Sequence, residues 1–340
     1  MPIEYELRDG ALVWIRNPFT RVISYIVDLR DKSFAFTLGA RNLAPPPVTH
    51  SEQERMQRAL ATCPFCPGNE SKAPAELLRV KPADVEGWDG DRASPWAIRV
   101  FNNLFPRIPS ELTGGRNESY VVVEDSRHFQ PGARSAADLL FTGALSETHF
   151  CRLLHTVAEV VGRALNNPTV QSVAVRKNQG PESGASQPHI HQQIIGSPVC
   201  LPAVDLEVRA LESDPRLWEE LIALAGDLGL LIDSQPRVIS YATPIGAFPR
   251  SYDVVMPDYR GLLNQLDGEG LQAFARAIHR ILRFVGPLPL DYEIHQAEGF
   301  PLHAHINVRR FPYSNVAGTL NLPQGIFDFV AALRRSLAGG

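Results

Sequence analysis

Short hydrophobic runs separated by turn residues predict a strand, a turn and a second strand over residues 96–128. Residues 136–166 then carry apolar side chains at helical spacing, and this face comprises Leu153, Leu154, Val157, Val160 and Val161. A strand over residues 170–176, a polar loop and a further strand ending at Gly196 complete the pattern. The first half of the chain is therefore predicted to alternate strands with one long helix.

The same order of elements returns in the second half. A strand from Val238 leads through Phe248-Pro-Arg250 to another strand from Tyr252, and a helix is predicted over Gly268–Phe284. Its apolar face comprises Leu271, Phe274, Ala275, Ile278 and Ile281. A strand over Tyr292–His295 and a loop follow, and each half ends in a His-X-His pair. We interpret this recurrence as a duplication.

The boundary between the halves is predicted near residues 197–215. Pro198 and Pro202 interrupt the strand pattern there. The predicted division therefore places an N-terminal domain over residues 1–200 and a C-terminal domain over residues 201–340.

The first His-X-His pair, His189 and His191, follows a polar loop over residues 178–186. Residues i and i+2 of a strand point to the same face, so the two imidazoles are expected to project together. The loop can present backbone N–H groups to an anion, which suits phosphate chemistry with a histidine nucleophile. The alternatives are a strand with two hydrogen-bonded histidines and an ordinary hairpin loop.

His191 is the candidate nucleophile if His189 binds a metal ion. A neutral imidazole has a reference pKa of about 6.5 and can attack phosphorus near neutral pH. Attack on the α-phosphorus of a nucleotide would give a covalent nucleotidyl-histidine and ping-pong kinetics. Gln193 shares the strand face of His191 and can donate to a phosphate oxygen, while the loop offers the further donors Ser183, Gly184 and Ser186.

Cys63 and Cys66 form a C-x-x-C pair with the spacing of a metal knuckle. Two thiolates at this spacing can bind one tetrahedral ion, and Zn²⁺ favours such ligands. His128 and His189 are the candidates for the remaining two positions. A redox pair and an unliganded pair are the alternatives.

The second His-X-His pair, His303 and His305, is predicted to lie on a strand beside His295. Three imidazoles and one carboxylate would suit Fe²⁺ or Zn²⁺. No Ser- or Gly-rich loop precedes this pair, so metal binding is expected there rather than catalysis. Surface histidines on a strand are the alternative.

Composition narrows the functional classes. The formal net charge of the 340 residues is −4 and no basic run occurs, which argues against nucleic-acid binding. No apolar segment approaches the roughly 18 residues of a membrane span, and the charged N-terminus does not resemble a signal peptide. Four cysteines do not make a disulfide framework at this length. We therefore expect a cytoplasmic protein without membrane or nucleic-acid partners.

From about residue 60 to 325 the chain resembles the galactose-1-phosphate uridylyltransferase family of the histidine-triad superfamily. The resemblance is carried by six segments in order: Cys63-Pro-Phe-Cys66-Pro-Gly-Asn, Val100-Phe-Asn-Asn103, Glu124-Asp-Ser-Arg-His128, Asn178-Gln-Gly, Ser186-Gln-Pro-His-Ile-His191-Gln-Gln193 and Leu302-His-Ala-His305. The resemblance implies an α+β fold of two tandem histidine-triad-like domains, each an antiparallel sheet with packed helices. It also implies a homodimer.

The resemblance further implies roles for individual residues. His191 would be the nucleophile and Gln193 its phosphate-contacting partner. Nucleotide and phosphate contacts would come from Asn103, Asn178, Gly184, Ser186 and Gln193. Zinc would be bound by Cys63, Cys66, His128 and His189. A second iron or zinc site would use His295, His303, His305 and a glutamate sixteen residues beyond the nucleophile, which is Glu207.

Two departures from the family pattern concern the substrate. Leu104 stands where these enzymes commonly have an acidic residue, and Thr319 and Leu320 stand where the hexose-binding aromatic–acid pair is expected. A missing carboxylate weakens the case for galactose. The prediction is therefore transfer of a nucleoside monophosphate from a nucleoside-diphosphate sugar to a sugar 1-phosphate, in carbohydrate metabolism.

Three alternatives remain open at this point. The first is an ADP-sugar or dinucleotide phosphorylase with inorganic phosphate as acceptor. The second is a non-catalytic nucleotide-binding protein, against which the intact His-X-His pair argues. The third is a zinc-stabilised protein that processes DNA ends, against which the acidic net charge argues.

Overall fold

A computed structural model describes residues 3–27, 51–246, 248, 250–309, 315–316, 319–323 and 328–338. The chain forms two compact units. We call residues 42–199 with 285–289 the N-terminal unit. Residues 1–41, 200–284 and 290–340 form the C-terminal unit.

The described part of the chain contains the following elements. The strands are β1 (Tyr5–Arg8), β2 (Ala11–Arg16), β3 (Ile23–Val27), β4 (Glu76–Val80), β5 (Ile98–Asn102), β6 (Glu118–Val123), β7 (Ser172–Gln179), β8 (His191–Ser197), β9 (Leu231–Ser234), β10 (Ile239–Ala242), β11 (Ser251–Arg260), β12 (Leu290–His295), β13 (Pro301–Val308), β14 (Asn315–Val316) and β15 (Thr319–Pro323). The α-helices are α1 (Glu52–Thr62), α2 (Ser110–Thr113), α3 (Glu147–Leu165), α4 (Pro202–Ser213), α5 (Leu217–Asp227), α6 (Gly268–Val285) and α7 (Asp328–Ala338).

The N-terminal unit is built on antiparallel strands in the order β4-β5-β6-β8-β7. Helix α3 packs against β6, β7 and β8. Its buried face includes the five residues predicted from helical spacing: Leu153, Leu154, Val157, Val160 and Val161. In this sheet Val123 lies opposite His191, and Lys177 lies opposite Gln192.

Helix α3 begins later than the predicted start at residue 136. The side chain of Asp138 accepts hydrogen bonds from the backbone N–H groups of Arg134 and Ser135, which fixes a turn there instead. The helix starts after Ser146, whose hydroxyl accepts from the backbone N–H of His149. The predicted helix therefore exists, but its N-terminal boundary was wrong.

The C-terminal unit contains antiparallel strands in the order β12-β13-β11-β10-β9. Helix α6 spans Gly268–Val285, within one residue of the predicted range, and buries Leu271, Phe274, Ala275, Ile278 and Ile281 as predicted. A second sheet has the order β1-β2-β3-β15-β14, in which β3 and β15 run parallel. In the first of these sheets, His303 of β13 lies opposite Val255 of β11.

The predicted fold class, α+β with antiparallel sheets and packed helices, is confirmed. One boundary between the two compact units falls at residue 200, near the division predicted for the two halves, but the strands β1–β3 belong to the C-terminal unit. The parallel pairing of β3 with β15 explains that grouping, and the hydrophobic pattern did not predict it. Within the described residues, no helix has the length and apolar character needed to cross a membrane.

Candidate active site and metal centres

The four predicted ligands Cys63, Cys66, His128 and His189 lie together in the N-terminal unit. Cys66 Sγ is 3.3 Å from His128 Nδ1 and 3.5 Å from His189 Nδ1, and Cys63 Sγ is 3.6 Å from the same His189 nitrogen. All four side chains are buried. Two sulfurs and two imidazole nitrogens at these separations form a group that can hold one metal ion.

The chemistry of the two thiols agrees with this interpretation. A hydrogen bond from the Cys66 thiol lowers the pKa of Cys63, and the same bond raises the pKa of Cys66. The first proton therefore leaves the pair easily, whereas the second is held because two thiolates would repel each other. A bound cation removes that repulsion and allows both sulfurs to be thiolates.

His189 is oriented by the backbone. Its Nε2 donates to the carbonyl oxygen of Asp125 at 2.7 Å, which leaves Nδ1 as the nitrogen that faces the two cysteines. Asp125 itself is fully buried, and its carboxylate binds the guanidinium of Arg127.

His191 has the opposite arrangement. Its Nδ1 donates to the carbonyl oxygen of His189 at 2.9 Å, so the lone pair remains on Nε2. Burial, followed by the charge of Lys177, lowers the pKa of His191 to about 4. The ring is therefore neutral at neutral pH, as a nucleophile at phosphorus must be.

His191 lines a pocket in the N-terminal unit. Phe65, Phe101 and Pro74 form apolar walls, and Gln193 also lines the pocket. The ring of Phe65 packs edge-on against His191 with centroids 5.2 Å apart. The exposed side chains of Leu104 and Phe105 also line this pocket. An apolar cleft with a few polar groups is typical of a small-molecule site.

The residues predicted to contact nucleotide divide into two groups. Asn103, Ser186 and Gln193 line the pocket with His191. Asn178 and Gly184 do not appear in its lining. The amide of Asn178 instead donates to the carbonyl of Ser183, and Gly184 has a φ of +83°, a conformation that suits glycine at the end of the short 3-10 helix Pro181–Ser183. These two residues shape the loop.

The second predicted ligand group, Glu207, His295, His303 and His305, also lies together, within the C-terminal unit. Glu207 Oε2 is 2.7 Å from His295 Nδ1, and Glu207 Oε1 is 3.2 Å from His305 Nε2. The Nε2 atoms of His303 and His305 are 3.1 Å apart. Burial opposes ionisation of Glu207, but the charges of His295 and His303 hold its pKa well below the usual value.

The strand registers relate the two groups. His191 lies opposite Val123, and His303 lies opposite Val255. His303 also repeats the hydrogen bond of His191, because its Nδ1 donates to the carbonyl of Pro301, two residues earlier, at 2.8 Å. The counterpart of the candidate nucleophile is therefore His303.

The same register places His305 at the position of Gln193, because these residues pair with Asp253 and Val121 respectively. On the neighbouring strands, Ile294 lies opposite Ala304, and Lys177 lies opposite Gln192. These two pairs are equivalent, so the residues that follow, His295 and Asn178, also occupy equivalent positions. Three ligands of the second group thus occupy the positions of His191, Gln193 and Asn178.

Sequence analysis did not single out several side chains that support these groups. Phe65 lies inside the cysteine knuckle, and Asp253 accepts a 2.6 Å hydrogen bond from His305 Nδ1. Glu124 and Lys177 form a buried ion pair at 2.8 Å, and Thr142 donates to the same carboxylate. Only the sequence position of Phe65 between two cysteines offered a signal. The others depend on pairing between distant strands.

Comparison with known proteins agrees with this fold. The family described as a domain of unknown function (DUF4921) matches residues 108–253. An ADP-glucose phosphorylase from Arabidopsis thaliana is 23% identical over 216 residues, which cover 61% of this chain and 58% of that protein.

Solved structures extend the similarity to nearly the whole chain. A crystal structure of an Arabidopsis thaliana ADP-glucose phosphorylase with bound ADP-glucose has a TM-score of 0.68 and 19% identity, covering 95% of this chain and 98% of that one. A uridylyltransferase mutant has a TM-score of 0.62 and 20% identity, covering 83% and 95% respectively.

The resemblance to the galactose-1-phosphate uridylyltransferase family is confirmed. At these identities the solved structures establish the fold shared with that family. The chain matches only 58% of the length of the phosphorylase sequence. The activity of that phosphorylase is therefore considered for this chain only as a proposal.

Proposed function

We propose that the protein is a nucleotidyltransferase that moves a nucleoside monophosphate from a nucleoside-diphosphate sugar through a covalent intermediate on His191. One observation carries this proposal. His191 donates its Nδ1 proton to the carbonyl of His189 and so directs an unprotonated Nε2 in a pocket with polar groups.

The reaction would proceed in two displacements. The Nε2 lone pair of His191 forms a bond to the α-phosphorus while the bond from that phosphorus to the bridging oxygen breaks. The electron pair leaves with the sugar 1-phosphate. An oxygen of the acceptor phosphate then attacks the same phosphorus, and the N–P bond breaks to restore the neutral imidazole.

The imidazole gains positive charge in the first step. The carbonyl of His189 accepts from Nδ1 and stabilises that charge. Gln193 and Ser186 line the pocket and can donate to the phosphate oxygens, where negative charge is concentrated.

The first metal group fits zinc. In a tetrahedral site with Zn–S near 2.3 Å and Zn–N near 2.05 Å, sulfur and nitrogen ligands lie about 3.6 Å apart. The three measured separations of 3.3, 3.5 and 3.6 Å agree with this value. A closed site of this kind supplies structural stability, and here it would fix His189, whose carbonyl holds His191.

The second group fits iron or zinc, because three imidazoles and a carboxylate suit either ion. Neither chemical step above uses this group. We also propose a homodimer, a cytoplasmic location and a role in carbohydrate metabolism, as the family resemblance implies.

The acceptor has two candidates. The first is a sugar 1-phosphate, as in the uridylyltransferases. The second is inorganic phosphate, which would make the protein an ADP-sugar phosphorylase. Specific observations favour the second candidate: both the sequence relative and a structural relative are ADP-glucose phosphorylases, and Leu104 lines the His191 pocket where uridylyltransferases commonly have an acidic residue.

A trapping experiment tests the covalent step, and product analysis identifies the acceptor. The protein is incubated separately with UDP-glucose and ADP-glucose labelled in the nucleotide, then quenched and assayed for acid-labile, base-stable label. We expect label on the wild type and on His303→Ala, and none on His191→Ala. Absence of label from both donors on the wild type would refute the mechanism and favour nucleotide binding without turnover.

The glucose 1-phosphate released from the donor is removed, and the labelled enzyme is divided between inorganic phosphate and galactose 1-phosphate. Glucose 1-phosphate itself is not used, because it would only reverse the first displacement. Release of a nucleoside diphosphate by phosphate, with no nucleotide sugar from galactose 1-phosphate, would establish a phosphorylase. The opposite result would establish a uridylyltransferase-type reaction.

A further inference from the structure

The second ligand group lies at the edge of a pocket. Glu207, His295 and His305 line this pocket together with Thr243 and Glu293, all within the C-terminal unit. The side chain of His305 is 22% exposed, whereas those of Glu207 and His295 are 8% exposed. An ion held by this group is therefore reachable from the pocket, unlike one held by the buried group of Cys63 and Cys66.

The pocket corresponds in register to the nucleotide pocket of the N-terminal unit. His305 lies at the sheet position of Gln193, and both residues line a pocket. The duplication has therefore retained a pocket over the equivalent strand, while metal ligands replace the nucleophile and its amide partner.

Charge decides which kind of molecule this pocket can take. Glu207 and Glu293 line it, and the carboxylate of Asp253 lies behind His305 at 2.6 Å. No lysine or arginine occurs among its lining residues in the described part of the chain. Three carboxylates outnumber the two charges of a divalent ion, so the loaded site disfavours an anion such as phosphate.

Size and hydrogen bonding narrow the class further. The pocket has a volume of about 210 Å³, which is below the roughly 300–1,000 Å³ of sites for drug-sized ligands. The side chain of Glu293 is 38% exposed and lines the pocket, so a ligand there can reach its carboxylate. A carboxylate only accepts hydrogen bonds, so it favours a ligand with hydroxyl groups to donate.

We propose that this pocket binds a neutral, polyhydroxylated ligand of the size of a single sugar ring, with one hydroxyl on the metal ion held by Glu207, His295, His303 and His305. A neighbouring hydroxyl donates to the carboxylate of Glu293. This site is separate from the chemistry of His191 and does not depend on it.

The test uses the full chain loaded with Co²⁺, whose visible absorption reports its coordination. Thiolate-to-cobalt charge transfer marks the cysteine-containing group, and the remaining d–d absorption reports the second group once the spectrum of His305→Ala is subtracted. D-glucose, glucose 1-phosphate and inorganic phosphate are titrated separately, which distinguishes a neutral sugar from a phosphorylated one and from phosphate alone.

We expect D-glucose to change the d–d absorption with half-saturation at about 1–10 mM, the affinity that a few polar contacts provide. The thiolate band should not change. Glucose 1-phosphate and phosphate should bind more weakly than glucose. Glu293→Gln should weaken glucose binding roughly fivefold, the effect of one hydrogen bond, while Glu298→Gln, at an exposed glutamate that does not line the pocket, should not.

Unchanged cobalt stoichiometry and an unchanged thiolate band show that each variant is folded. The proposal is overturned if either anion perturbs the d–d absorption at lower concentration than glucose does. It is also overturned if glucose produces no change in the second-group spectrum. Because His191→Ala is expected to behave as the wild type here, these outcomes are independent of the proposed transferase activity.

Discussion

Strands β8 and β13 have equivalent registers but different surroundings, and their His-X-His pairs are offset by two residues because His303 lies at the position of His191. His189, two residues before β8, faces a cysteine-containing group, and His191, the first residue of β8, is held with its Nε2 unprotonated. On β13 both histidines direct Nε2 at the same carboxylate, Glu207. The same strand geometry therefore supports either a candidate nucleophile or a metal-binding group, and the residues on neighbouring elements decide which.

The opposite faces of these strands differ as well. In the N-terminal unit, the positions around Gln192 hold the buried ion pair of Glu124 and Lys177. The equivalent positions in the C-terminal unit are Met256, Ile294 and Ala304, all buried and apolar. Because the C-terminal unit has apolar residues at these positions, this arrangement of strands does not require buried charges there. The buried ion pair is therefore a feature of the unit that carries His191.

The nucleophile provides the largest expected difference between the copies. We expect His191→Ala to reduce turnover by roughly 10⁴-fold or more, because no other group can form the covalent intermediate. His303→Ala should retain turnover within about tenfold. Steady-state kinetics measure both variants. Equal losses in the two variants would contradict the assignment of distinct roles.

The metal groups provide the next comparison. Cys63→Ser should remove one equivalent of zinc and lower the free energy of unfolding by several kcal/mol, because binding energy at a structural site is folding energy. Elemental analysis and denaturant unfolding measure these effects. His305→Ala, in the more accessible group, should remove the other metal and destabilise less. Retention of zinc and stability in Cys63→Ser would contradict a structural site.

The buried ion pair can be exchanged for the apolar residues of the other copy. Lys177→Ile or Glu124→Met alone should cost about 3–5 kcal/mol, because each leaves an uncompensated buried charge. The double variant should recover most of this loss. Urea unfolding of the three variants tests the prediction. A double variant no more stable than the single ones would show that the apolar residues of the C-terminal unit cannot replace the ion pair in the N-terminal unit.

The smallest expected effect concerns the ring that packs on the nucleophile. Phe65→Leu should cost about 1–1.5 kcal/mol of stability and reduce kcat roughly tenfold, because the edge contact with His191 is lost. Phe274→Leu, within the buried face of α6, should cost similar stability without changing kcat. A kcat unchanged by Phe65→Leu would limit Phe65 to packing.

Several features could be predicted from the sequence because they depend on local spacing. Helical periodicity predicted α3 and α6, although Asp138 moved the start of α3. The C-x-x-C spacing and the two His-X-His pairs contain five of the eight candidate ligands, and all eight lie together in two groups of four. The position of Glu207 came from the family resemblance, because one glutamate on a helix has no distinguishing local pattern.

The sequence by itself determined which residues could bind metal, since residue type and local spacing encode them, while its resemblance to a known family implied the fold class and the candidate nucleophile. Only the tertiary structure decided which nitrogen of each histidine is available, because distant carbonyls and carboxylates such as those of Asp125 and Asp253 fix each ring. It also decided that β3 pairs with β15 and that Glu124 meets Lys177. Such contacts join residues far apart in the chain, and their energy depends on burial that no local pattern specifies.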